Sequence, residues 1–218
     1  MKKLFGLIVL AISFQVVSAQ NDYSGTYGFT SGSPHPKDKS AIPGGSLVLV
    51  KMEGSKYRFW LDVLNGPPGW NRGETDGTIS FTNDTASFDN SYEDATHPCI
   101  LKFRHENGTI HINSESTSFN CGFGNGVNAD GDYPKLKVQP VISNKWLNDQ
   151  YHESPVLTVK SKKAALYHDE NCKIGKNEFF PENTSLLNIS ETEHTFYTEY
   201  INPQGKFMWG WIKKTDVK

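Results

Sequence analysis

The stretch Leu101-Lys102-Phe103-Arg104-His105-Glu106-Asn107-Gly108-Thr109-Ile110-His111-Ile112-Asn113 decides the fold class. Asn-Gly tolerates the positive φ angles of a type I′ turn, so it predicts a two-residue hairpin at Asn107-Gly108. That turn fixes a register. Glu106 faces Thr109, His105 faces Ile110, Arg104 faces His111 and Phe103 faces Ile112. Side chains alternate across a strand, so Leu101, Phe103, His105, Ile110 and Ile112 share a core face. Lys102, Arg104, His111 and Asn113 share the solvent face.

The same alternation recurs upstream. Tyr57, Phe59, Leu61 and Val63 fall on one side of a strand, with Arg58, Trp60, Asp62 and Leu64 on the other, which reads as a half-buried strand. Ser46–Val50 precedes it across a turn at Glu53-Gly54-Ser55. Shorter alternating runs follow at 77–81 and 86–88. Short strands, tight turns, 12% aromatic residues and no clear helical period predict an all-β protein. The order of the strands suggests an antiparallel meander that forms a small barrel or sandwich. Ser31–Gly45, rich in Ser, Pro, Lys and Gly, reads as a loop.

Lys2 and Lys3 precede a nearly unbroken apolar run, Leu4–Val17, and then the small residues Ser18 and Ala19. A basic start, an apolar stretch and a small-residue cleavage site predict a secretory signal over 1–19. The run is shorter than the roughly 20 residues of a spanning helix, and no other segment is apolar enough to cross a bilayer. The expected location is therefore secreted or periplasmic. The chain carries 22 basic and 24 acidic side chains, a formal charge of −2, which argues against a nucleic-acid partner. Export places Cys99, Cys121 and Cys172 in an oxidising compartment. A hairpin brings Cys99 and Cys121 to the same end, so they are the expected disulfide, and Cys172 is left as a free thiol.

The last third carries a family resemblance. Leu157-Thr158-Val159-Lys160-Ser161 looks like an opening strand, and Ala165-Leu166-Tyr167 leads into a variable loop. Lys176-Asn177-Glu178 resembles a Lys-Gly-Glu turn, and Gly210-Trp211-Ile212 resembles a closing Gly-Trp-Val/Ile signature. On these residues the segment 155–218 resembles the bacterial SH3-like domain. The resemblance implies a small SH3-like barrel that binds peptidoglycan or an envelope protein and carries no chemistry. The segment 20–135 is similar to uncharacterised secreted bacterial β-domains. Gly25-Thr26-Tyr27 gives it a weakly lipocalin-like start. Residues 136–154 read as a linker.

Aromatic and arginine side chains dominate binding hot spots. Trp70 and Arg72, on the Pro-stiffened loop Asn65–Gly73, are the first candidate binding residues. Tyr167, Tyr197, Trp209 and Trp211 are the candidates in the SH3-like segment. No catalytic set, cofactor or metal site is expected. The spacing of Asn128, Asp130 and Asp132 puts glycine in the wrong place for a calcium loop. His168 lies near Cys172 without a third partner. Asp62, Glu74, Asp76, Glu93 and Asp94 show no spacing that singles out an acid/base pair. The expected function is a non-enzymatic binding protein of the bacterial cell envelope. A small-molecule carrier of lipocalin type and a wall-targeted hydrolase are the alternatives.

Overall fold

The computed structural model describes residues 21–30, 44–66, 68–92, 94–151 and 154–218. The expected signal segment 1–19, most of the expected loop Ser31–Gly45, and Glu93 lie outside the described residues.

The protein is all-β and antiparallel. Strands β1 (Gly25–Thr30), β2 (Gly44–Lys51), β3 (Lys56–Leu64) and β4 (Arg72–Ser80) form one sheet in that order. Strands β5 (Thr85–Asp89), β6 (Ile100–Glu106), β7 (Thr109–Ser114) and β8 (Gly131–Pro134) form the second. The hairpin register is the one the turn dictates: Phe103 faces Ile112 and Glu106 faces Thr109. Asn107 and Gly108 take φ values of 50° and 79°, both in the left-handed region that a type I′ turn requires.

Among the described residues, backbone pairing joins the two sheets along one seam. There, Leu136 N–H donates to the Thr26 carbonyl at 2.9 Å, and Tyr27 bridges to Lys135. On the opposite side β4 and β5 share no ladder among the described residues. Aromatic rings fill that gap, and glycines make room for them. A Cβ on Gly77 would lie 2.4 Å from the Phe88 ring, and one on Gly73 would lie 2.4 Å from the Phe123 ring. The unit is therefore a two-sheet sandwich joined along one edge rather than a closed barrel. A single cluster fills its interior, with Tyr27, Tyr57, Phe59, Phe103 and Tyr133 all fully buried. Cys99 and Cys121 are disulfide-bonded at one end of this core. Closing a loop of that size contributes roughly 3 kcal/mol through the unfolded chain.

The third sheet has six strands in the order β11-β10-β14-β13-β12-β9. These are β9 (Val156–Thr158), β10 (Lys163–Tyr167), β11 (Gly175–Pro181), β12 (Ser185–Glu191), β13 (Thr195–Ile201) and β14 (Phe207–Lys213). Its own core holds Leu157, Val159, Ala164, Leu166, Phe180, Leu186, Ile212 and Val217. Lys176-Asn177-Glu178, expected as a turn, lies inside β11, where Asn177 at φ 57° coincides with a register shift against β10. Gly205, at φ 79°, turns the β13–β14 hairpin.

Two expectations from sequence change here. The linker 136–154 contains a helix, α1 (Asn144–Gln150), capped by Ser143, whose hydroxyl accepts from Trp146 N–H at 3.3 Å. The strand at Lys56–Leu64 is not half-buried. Its outer residues Arg58 and Trp60 are 7% and 6% exposed, because α1 and the third sheet cover them. The cover is a second apolar cluster of Val48, Trp60, Leu147, Leu187, Ile201, Phe207 and Trp209, drawn from both halves of the chain and from α1. No helix among the described residues is long and apolar enough to cross a membrane.

Candidate functional site

The covering of β3 creates the site. Arg58 leaves the first sheet and meets Glu199 of β13, its Nε donating to Glu199 Oε1 at 2.8 Å. Its Nη2 donates to Asp76 Oδ2 and to the Tyr151 hydroxyl. Tyr151 in turn donates to Asp76 Oδ2 at 2.9 Å and accepts from Trp60 Nε1 at 2.9 Å. This polar knot ties β3, β4, the end of α1 and β13 together. One guanidinium serves two carboxylates. Asp76 is part-exposed, whereas Glu199 is buried. Burial, opposed by Arg58 and reinforced by Asp76, pushes the Glu199 carboxyl up to about 7. Burial likewise pushes the Tyr151 hydroxyl well above its ordinary value.

Two clefts border the knot, and Asp76 lines both. The first has a volume of about 440 Å³ and lies on the outer face of β2–β4 beneath α1. Trp60, Trp146 and Tyr151 supply its aromatic side, and the Trp60 and Trp146 rings meet edge to face at 5.1 Å. Asp62, Arg72, Glu74 and Asp76 supply its polar side. These four alternate outward on β3 and β4 because their neighbours Leu61, Val63 and Gly73 face the core. Arg72 forks onto Asp62 with bonds of 2.8 and 2.7 Å and reaches Glu74 at 2.8 Å. The second cleft, about 530 Å³, lies between β4–β5 and β12–β13.

The sequence-predicted residues distribute as follows. Arg72 lines the first cleft. Trp70 is 49% exposed at the tip of the β3–β4 hairpin, with φ at 52°. The tip is held by Asn71 N–H donating to Asn65 Oδ1 at 3.0 Å, and by Asn71 Nδ2 donating to the Asn125 carbonyl at 2.6 Å. Tyr197, Trp211 and Tyr167 stand opposite one another on β13, β14 and β10, and make a part-buried aromatic row on one sheet face. The Tyr197 and Trp211 rings are 5.4 Å apart. Trp209 is not a free contact surface. It is 8% exposed within the cluster between the two halves, and the Lys176 ammonium sits 3.2 Å from its ring centroid.

Sequence reading missed Trp60, Trp146 and Tyr151 as site residues. A tryptophan on the nominally solvent face of β3, followed by Trp146-Leu147 in an apparent linker, was the available signal. Cys172 is part-buried, and burial pushes its thiol up, which disfavours the thiolate that a nucleophile needs. Asp130 is occupied in a turn, accepting from Ser114 N–H at 2.6 Å, and Asp132 pairs with His111. The chain matches no protein-family model, no curated protein and no solved structure.

Proposed function

We propose that this is a non-enzymatic binding protein of the bacterial cell envelope, secreted or periplasmic, which holds peptidoglycan in the cleft beneath Trp146. The observation that carries the reading is the make-up of that cleft. Trp146 and Tyr151 offer part-exposed aromatic surface with Trp60 buried behind them, and Asp62, Arg72, Glu74 and Asp76 surround it with hydrogen-bonding groups. A sugar ring has an apolar face and a girdle of hydroxyls, so it suits an aromatic surface edged with donors and acceptors. The Cys99–Cys121 disulfide supports an oxidising compartment.

Arg72 bonds both Asp62 and Glu74, so one guanidinium holds these two polar groups in place along the cleft. A second reading, docking of an envelope protein, is favoured by the row Tyr167–Trp211–Tyr197 on the segment that resembles an SH3-like domain.

Sedimentation with purified peptidoglycan sacculi tests the proposal. We expect the intact protein to pellet with sacculi and Trp146→Ala to be retained several-fold less, with its thermal unfolding checked alongside. Retention no greater than that of a control protein of similar charge would reject the reading. Loss of retention only on Trp211→Ala would move the contact to the aromatic row.

A further inference from the structure

The second cleft differs in chemistry from the first. Three carboxylates line it, Asp76, Asp89 and Glu199, against the single guanidinium of Arg58. The apolar surface comes from Phe88 on β5, Ile189 on β12 and Tyr197 on β13. Glu199 is the informative residue. Its Oε1 accepts from Arg58, but its Oε2 is buried and has no hydrogen-bond partner. A buried carboxylate oxygen without a donor is costly, and native proteins seldom leave one. The chain on either side of Glu199 offers no remedy, since the adjacent Thr198 hydroxyl is itself buried without a partner and points to the other face of the sheet.

We propose that this cleft binds a primary ammonium group carried on a short aliphatic chain, with Glu199 Oε2 as its buried acceptor. An ammonium has three donors and no acceptor, which matches a site with spare acceptor capacity and excess negative charge. Tyr197 lines the cleft with an aromatic ring, a residue type that attracts cations, and Ile189 and Phe88 line it with apolar atoms for the methylenes. Asp89, at the exposed end of β5, adds long-range attraction at the mouth. A neutral hydroxyl would gain nothing from the charge excess, and an anion would be repelled by it. The site shares Asp76 with the cleft beneath Trp146 but does not depend on what that cleft binds.

Free amines and peptide-borne amines share this chemistry, and NMR titration of the intact protein separates them. The probes are n-butylammonium, the peptide acetyl-Gly-Lys-Gly-amide, and the same peptide with its lysine acetylated. We expect saturable shifts at the amides of Ser190, Tyr197 and Glu199 with one or both charged probes and none with the acetylated peptide. Binding by butylammonium alone identifies a free amine, and equal or tighter binding of the lysine peptide identifies a peptide. Glu199→Gln should abolish the shifts. Asp89→Asn removes one exposed charge, should leave the fold intact, and should weaken binding about threefold. Absence of saturable shifts, equal binding of the acetylated peptide, or shifts confined to Trp60 and Trp146 would overturn the proposal. So would unchanged affinity in Asp89→Asn.

Discussion

Arg58 and Glu199 meet across the junction of the two halves, 2.8 Å apart, with side chains only 8% and 2% exposed. They are 141 positions apart in sequence. A buried pair of this kind is weak evidence of stability as a pair, because desolvation offsets most of the attraction. Breaking it is another matter.

Arg58→Met leaves Glu199 buried without its cation. We expect a loss of about 3–5 kcal/mol in chemical denaturation. The double variant Arg58→Met with Glu199→Leu should recover most of that loss. A single-variant loss below about 1 kcal/mol would show that the junction is wet or open in solution.

The pH dependence follows from the same carboxyl. Glu199 is pushed up to about 7 in the folded protein, from an ordinary value of 4.5. Between those values the folded state binds more protons at this position than the unfolded state, so stability falls as pH rises. Its contribution is complete below pH 4.5 and is lost as pH passes through about 7. The groups around it are Arg58 on β3, Asp76 on β4, Tyr151 after α1 and Tyr197 on β13. The tyrosines are raised by burial and hold their protons throughout this range. Denaturation of wild type and Glu199→Gln at intervals from pH 4.5 to 8 isolates the effect. The wild type should lose stability relative to the variant as pH rises, and a constant difference would contradict the assignment.

Trp70 sits at φ 52°, a conformation that costs a bulky residue about 1–2 kcal/mol. Trp70→Gly should relieve that cost at the price of chain entropy, for a net gain of about 0.5–1 kcal/mol in thermal or chemical unfolding. A stabilised variant that also binds sacculi less well would show that the exposed ring is kept for contact. Destabilisation by Trp70→Gly would show instead that the ring packs onto the sandwich in solution.

The hairpin at Asn107-Gly108 was legible because its register is set by two residues and its buried face by a period of two. The Cys99–Cys121 disulfide was legible for the same reason, since the hairpin returns the chain to its start. Arg58 and Trp60 were misread because alternation reports which residues share a face, not what comes to cover the second face. The cover is α1 and the third sheet, more than 80 positions away, and α1 is too short to show a helical period. Asn177 was read as a turn residue on the resemblance to a Lys-Gly-Glu turn, and it does take a left-handed φ of 57°, but within a strand at a register shift. Trp209 looked like a contact residue because an aromatic on a sheet face has the same pattern whether it meets a ligand or another part of the chain.

Tryptophan fluorescence with soluble glycan fragments released from peptidoglycan bears most directly on the cleft beneath Trp146. We expect a saturable change in emission on titrating the intact protein, lost in Trp146→Phe and retained in Trp70→Phe. A signal that persists unchanged in Trp146→Phe, or no saturable signal with any fragment, would contradict the assignment of this cleft as the wall-binding site.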